Sequence, residues 1–322
     1  MSVSGFVASI RLLSRSVFSV STPGRSHLLA YLGLAIGIVS VSFSAILVRW
    51  AGAPAAVSSF YRMAVAAAVM AWPFYRRASG RGQLPRPGVR IALLGGLFFA
   101  ADLLFWTTGV LLSGAINPTL LANTAPVWVG LGSLIFFRDR LSTRFWIGLA
   151  LAMSGAVLIL GLDALRAATL GLGTLLGLIA AIFYGGYFLI TQRGRQSLDS
   201  VTYSWLTTCS ASLILLGLCL AMRQPLTGYP ALTYLYFLAM GLVVQVFGWV
   251  AINYTQGYLP ASVVAPTMLA QPVVTAVLAG PLLGERLSPW QVVGGLIVLT
   301  GVYAVHRSRQ QDPAEGTVGY NG

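Results

Sequence analysis

Two charged side chains stand inside long apolar runs of this sequence, and they are where chemistry would be placed. Asp102 falls near the middle of the run 90–112, and Arg62 lies about two turns into the run 54–75. A charge at the centre of a bilayer costs about 2.5–3.5 kcal/mol on the insertion scale, so such a residue is kept for a function or for a structural partner. Asp102 could bind a substrate ammonium or carry a proton. It could equally pair with Arg62 and fix helix packing, or stay protonated with a local hydrogen bond. No second carboxylate lies in an apolar run to complete a proton relay.

Uncharged polar residues recur at helical spacing. Gln245, Trp249, Asn253 and Gln256 stand at i, i+4, i+8 and i+11, one face of a helix. Thr267, Gln271 and Thr275 repeat the pattern, and Asn117, Thr124 and Trp128 stand at i, i+7 and i+11 with Asn123 off that line. Polar side chains avoid lipid, so these stripes face protein or water. They either hydrogen-bond between helices, at about 0.6–2 kcal/mol each, or line a solute path. Trp106, Trp128, Tyr184, Tyr187, Trp205 and Trp249 lie deep in their runs, and Trp106 shares a face with Asp102. An aromatic box with sparse polar groups suits an amphipathic solute such as an apolar or aromatic amino acid. Pro126 and Pro272 sit inside apolar runs. Each is expected to free a backbone carbonyl and kink its helix, as a fixed bend or as a gate.

Other chemistries are excluded or disfavoured. All 20 basic residues are arginine, so neither a Walker A lysine nor a Schiff-base lysine exists. His-Glu-x-x-His, Asp-rich prenyl-diphosphate motifs and paired intramembrane aspartates are missing from the sequence, which argues against a membrane-embedded enzyme. Cys209 and Cys219, ten apart on a helix, would lie about 15 Å from each other and could not bridge. His27 and His306 have no metal-ligand neighbours in the sequence, and neither a metal nor a cofactor is expected.

The elements that must position these residues are membrane helices. Of 322 residues, 57% are hydrophobic and 8% charged, with mean hydropathy +0.81. Soluble chains carry about 25% charge. Residues 224–284 contain no Asp, Glu, Lys or Arg, and one crossing needs about 20 apolar residues. Ten spans are expected, at 28–50, 54–75, 90–112, 115–137, 144–162, 170–191, 200–222, 231–252, 259–283 and 289–306. With the N-terminus inside, fifteen arginines fall on inside segments and four on outside ones, so both termini are expected in the cytoplasm. The net charge of +13 is then a topology signal, and a nucleic-acid partner is not expected. Lys-free, Ala/Gly/Arg-rich composition fits GC-rich coding and a bacterial inner membrane. Tyr229, Tyr258, Trp72, Tyr75 and Trp290 near run ends read as interfacial anchors.

An internal repeat is legible at a shift of 146. Pro126-Val127 falls on Pro272-Val273, Asp139-Arg140-Leu141-Ser142 on Glu285-Arg286-Leu287-Ser288, and Gly148 and Gly155 on Gly294 and Gly301. Five spans per half invert the second copy. The expected division is a tail at 1–27, five-helix repeats at 28–162 and 170–306, and a tail at 307–322. Inverted repeats favour secondary transport by exchange of the two halves.

At this point the sequence resembles the EamA-type exporters of the drug/metabolite transporter superfamily. The motifs are Gly284-Glu285-Arg286-Leu287-Ser288-Pro289, Leu259-Pro260-Ala261-Ser262, Phe60-Tyr61-Arg62-Met63 and Ala125-Pro126-Val127, in order over 28–306. Arg138-Asp139-Arg140 departs from the family's usual Gly-Glu-Arg/Lys. Within that family the sequence resembles the YddG-type amino-acid exporters. The resemblance implies ten helices around a central cavity, lined by the third, fourth, eighth and ninth spans with the first and sixth, and with the fifth and tenth outside. It also implies a packing role for Arg62. The functional expectation is a metabolite exporter acting by alternating access, with a facilitator or channel-like uniporter for another metabolite or drug as the alternative. The lipid bilayer and a small-molecule substrate are the expected partners.

Overall fold

A computed structural model describes residues 23–78, 84–113, 116–160, 171–283 and 288–311. Among the described residues every regular element is helical. The first half contains α1 (Pro23–Ala51), α2 (Ala55–Ala78), α3 (Arg86–Ser113), α4 (Ile116–Ala122), α5 (Ala125–Gly132) and α6 (Thr143–Leu160). A π-helical turn, Ser133–Phe137, prolongs α5. The second half contains α7 (Leu172–Gly194), α8 (Ser200–Ala221), α9 (Ala231–Ala239), α10 (Val250–Thr255), α11 (Ala261–Thr267), α12 (Gln271–Leu283) and α13 (Pro289–Gln311). A π-helix, Met240–Trp249, joins α9 to α10, and a 3-10 turn, Met268–Ala270, joins α11 to α12.

Eight helical stretches among the described residues are long and apolar enough to cross a bilayer: His27–Val48, Arg86–Gly109, Leu120–Phe137, Leu175–Gly194, Ser200–Ala221, Ala231–Thr255, Ala261–Leu282 and Pro289–Arg309. This is a multi-pass membrane protein. The two other expected spans are also helical. Thr143–Ile159 is apolar but shorter. In α2, Arg62, Ser58, Ser59 and Tyr61 dilute the hydropathy of a 24-residue helix.

The ends are set by local chemistry. Asp199 caps α8, its Oδ1 accepting from the amides of Val201 (3.1 Å) and Thr202 (3.2 Å). Ser288 and Gln291 form a reciprocal capping box on α13: Ser288 N donates to Gln291 Oε1 (2.9 Å), and Gln291 N donates to Ser288 Oγ (3.2 Å). The acid-Arg-Leu stretch at 285–287 just before it lies outside the described residues. Its counterpart Asp139 is 3.3 Å from Arg309 Nη2 at the end of α13. Gly52, at φ +59°, takes the left-handed turn between α1 and α2.

α6 and α13 pack along a seam of small residues. A Cβ on Gly301 would stand 2.3 Å from Ala152 N, and one on Gly155 would stand 2.6 Å from Gly294 O. The outer face of α13 exposes Trp290, Leu296 and Tyr303, side chains suited to lipid. Lipid gives no hydrophobic reward for helix association, so this close approach is what holds the pair. Gly301→Ala should therefore push the helices apart, costing about 1–3 kcal/mol by overpacking. Gly217→Ala, with open space around it, should leave stability unchanged or slightly raised. Thermal unfolding in detergent checks this, and equal midpoints for the two variants would contradict the seam.

Candidate functional site

Two long helices are broken at mid-course. Between α4 and α5 the chain turns at Asn123–Thr124. The freed Leu121 carbonyl accepts both the Thr124 amide (2.9 Å) and the Thr124 hydroxyl (2.6 Å). In the second half the 3-10 turn Met268–Ala270 does the same work, and the Gln271 amide donates to Met268 O. Pro126 lies in the first turn of α5, and Pro272 is the second residue of α12. Each proline thus stands just after a break in its span, in the first turn of the helix that follows, where its missing N–H was unneeded. At the shift of 146, Asn123–Thr124 falls on Leu269–Ala270, so the two breaks stand at matching places.

Between the breaks is a small cavity of about 30 Å³, walled by Asn123, Pro126, Tyr184, Phe188, Met268 and Gln271. That volume holds a water or two and no amino acid. The structure thus leaves no room for a solute at this point. Tyr184, Pro126 and Gln271 were singled out by the sequence and are brought together here. Asn123, Phe188 and Met268 were not. Asn123 lies off the helical line of Asn117, Thr124 and Trp128, but α4 ends beside it, so helical spacing does not apply across it.

Beside the cavity lies the buried charge pair. Arg62 Nε donates to Gln245 Oε1 (3.0 Å), its Nη1 lies 3.4 Å from Ser44 Oγ, and its guanidinium stands 5.8 Å from the centre of the Phe99 ring. Arg62 and Asp102 are each 8% exposed. No ion pair within 4.0 Å joins Asp102 to Arg62. The expected alternative of a direct Asp–Arg packing pair is not what holds α2 against α3. Gln245 on the π-helix is the arginine's partner.

Trp249 is enclosed by rings: Phe99 at 4.9 Å, Tyr187 at 5.4 Å and Tyr184 at 6.0 Å between centroids. Its Nε1 is buried with no hydrogen-bond partner, as is the Nε1 of Trp128. Asn253 faces another way. It accepts from Tyr187 Oη (3.1 Å) and donates to Ser204 Oγ (2.9 Å), tying α10 to α7 and α8. Gln256 is 3% exposed with neither amide atom partnered. The single stripe expected for Gln245, Trp249, Asn253 and Gln256 is therefore split. The π-helix through Met240–Trp249 changes the turn, and Gln245 points to α2 while Asn253 points to α7 and α8. Trp106 is half-buried on α3, and the side chain of Asn117 on α4 lies outside the described residues. Among the described residues, no group of three His, Cys, Asp or Glu converges as a metal site.

A sequence profile of the EamA-like transporter family matches residues 27–161 and again 171–307. An uncharacterised transporter of Synechocystis is 30% identical over 177 residues, 54% of each chain. A probable terminal-alkyne amino-acid exporter of Streptantibioticus cattleyicolor is 26% identical over 270 residues, covering 83% of this chain and 89% of that protein. A crystal structure superposes with TM-score 0.72 at 18% identity, over 89% of this chain and 100% of the other, and so shares the fold.

Removing the partner of a buried donor costs about 1–3 kcal/mol. Gln245→Leu leaves Arg62 Nε unpaired and should lower thermal stability by that amount. Gln271→Leu, whose side chain borders the cavity, should change it far less. Equal melting of the two variants in detergent would show that Gln245 does not hold Arg62.

Proposed function

We propose, from the premise that this chain belongs to the EamA-like transporter family, that it exports amino acids with apolar or aromatic side chains across a bacterial cytoplasmic membrane by alternating access. Family membership and its transporter-named relatives make it a small-molecule transporter of the lipid bilayer, not an enzyme. The proposal adds the substrate class, the direction and the mechanism. It also adds ten helices in two inverted halves, 28–162 and 170–306, with both termini cytoplasmic.

The observation that carries the reading is the small cavity between the two matched helix breaks. A site of about 30 Å³ must enlarge to take a solute. Short helices joined by turns at Asn123–Thr124 and Met268–Ala270 can swing with little loss of backbone bonding, because the turns already carry their own caps. The wall chemistry supports the substrate class. Tyr184 and Phe188 offer apolar faces with Trp249 packed behind Tyr184, Asn123 and Gln271 offer amides, and Asp102 is buried with no ion pair to Arg62. An ammonium would find its counter-charge in Asp102 and a carboxylate its donors in the amides. The name of the Streptantibioticus relative points the same way. No nucleotide motif is legible, so an ion gradient or the substrate's own gradient supplies the work.

Flux of labelled amino acids in proteoliposomes, with and without a pH gradient, tests this. Saturable flux is expected, with Trp249→Ala lowering transport about tenfold or more and Asp102→Asn losing cation recognition or proton coupling. Saturable flux indifferent to pH in both wild type and Asp102→Asn would leave a facilitator. No flux for any amino acid would overturn the substrate class. Reporter tags before Arg140 and after Arg286 should land on opposite faces, and landing on one face would end the inverted arrangement.

A further inference from the structure

A second cavity, about 700 Å³, lies away from the small cavity and opens sideways between α1 and the α9–α10 helix. One wall is apolar: Ile36 on α1, with Val246, Phe247 and Val250 opposite. Ile36 is 55% exposed and Phe247 63% exposed, so this wall faces the hydrocarbon around the bundle. The other end is polar and cationic, where the end of α2 meets the α7–α8 turn and the end of α10. Arg77, Arg195 and Asp199 meet there, beside Tyr254 and Tyr258.

Arg195 is built into that end. It is 9% exposed; its Nε donates to Asn253 O (2.8 Å) and its Nη1 to Leu198 O. The remaining nitrogen, Nη2, has no partner among the described residues, on a side chain that borders the cavity. Arg77 is about half exposed and touches Asp199 through Nη1 at 3.4 Å. Asp199 is already engaged as the cap of α8, accepting from two backbone amides and the Thr202 hydroxyl. Two guanidinium groups against one occupied carboxylate leave an excess of positive charge at the mouth of an apolar, laterally open trough.

We propose that this trough binds one anionic glycerophospholipid, its phosphate held by Arg195 and Arg77 and an acyl chain lying along Ile36 and Phe247. A soluble anion would have no use for the apolar wall, and a neutral lipid none for the two arginines. The surroundings agree. The neighbouring chain ends carry Arg76, Arg86, Arg90 and Arg193. Basic pockets between membrane helices at such an end gather anionic headgroups. The proposal is independent of the transported solute.

The test is native mass spectrometry of the full-length, delipidated protein titrated with phosphatidylglycerol or with phosphatidylcholine of the same chains. One tight phosphatidylglycerol adduct is expected, with phosphatidylcholine several-fold weaker. Arg77→Ala should weaken the anionic adduct about fivefold, the amount one juxtamembrane arginine contributes. Arg90→Ala, exposed and outside the trough, should not. Ile36→Trp fills the apolar wall from a lipid-exposed position, so it should fold normally and lose the adduct. Equal binding of both lipids, or equal loss in Arg77→Ala and Arg90→Ala, would overturn the proposal. So would displacement by inorganic phosphate with Ile36→Trp unaffected, which would mark a soluble-anion site instead.

Discussion

Backbone cut inside a bilayer has no water to turn to. Each unsatisfied carbonyl or amide there costs several kcal/mol, and much of this bundle is arranged around two such cuts. The cuts at Asn123–Thr124 and Met268–Ala270 are first repaired locally, by the Thr124 hydroxyl and by the tight turn before Gln271. They are then walled off. α7 comes close enough to cover the first because it carries glycine at the contacts: a Cβ on Gly177 would stand 2.6 Å from Pro118 Cα, and one on Gly185 would stand 2.9 Å from Trp128 Cβ. α1 covers the second. Ser42 Oγ donates to Gln271 O (3.2 Å), and Thr275 Oγ1 donates to Ser42 O (3.1 Å).

The same scarcity of partners explains how the buried cation is held. Arg62 cannot be hydrated in an apolar bundle, so it draws Gln245, Ser44 and the Phe99 face around it. Gln245 itself sits in a ten-residue π-helix. π-helical segments concentrate at functional sites. Here the segment carries Gln245 at its middle and Trp249 at its end, so it couples the arginine to the aromatic enclosure beside the small cavity. The polar groups left over, Trp249 Nε1 and the Gln256 amide, are buried without partners. These atoms have most to gain from a bound solute or a changed conformation.

Much of the fold was legible because lipid imposes long apolar runs. Eight of the expected runs lie on helices long and apolar enough to cross a bilayer among the described residues, and two of the glycines that mark the repeat, Gly155 and Gly301, stand at the contact of α6 with α13. The site was less legible, for a geometric reason. Helical spacing predicts a shared face only while the turn is constant. The π-helix splits Gln245 from Asn253, and the turn at Asn123 hides that residue from its own stripe. Pro126 and Pro272 mark where the two spans break, but the residue types of the preceding turns are visible only in the structure. Whether Asp102 touches Arg62 depends on the separation of α2 and α3, which spacing along the chain does not encode.

Alternating access at the broken helices is best tested by the accessibility of Gln271. In a background with Cys209 and Cys219 replaced by serine, Gln271→Cys is exposed to a membrane-impermeant thiol reagent added from either side of oriented vesicles. The account predicts slow reaction from both sides, since the small cavity must open in turn to each. A cysteine inert from both sides would make this a fixed packing core and contradict the account.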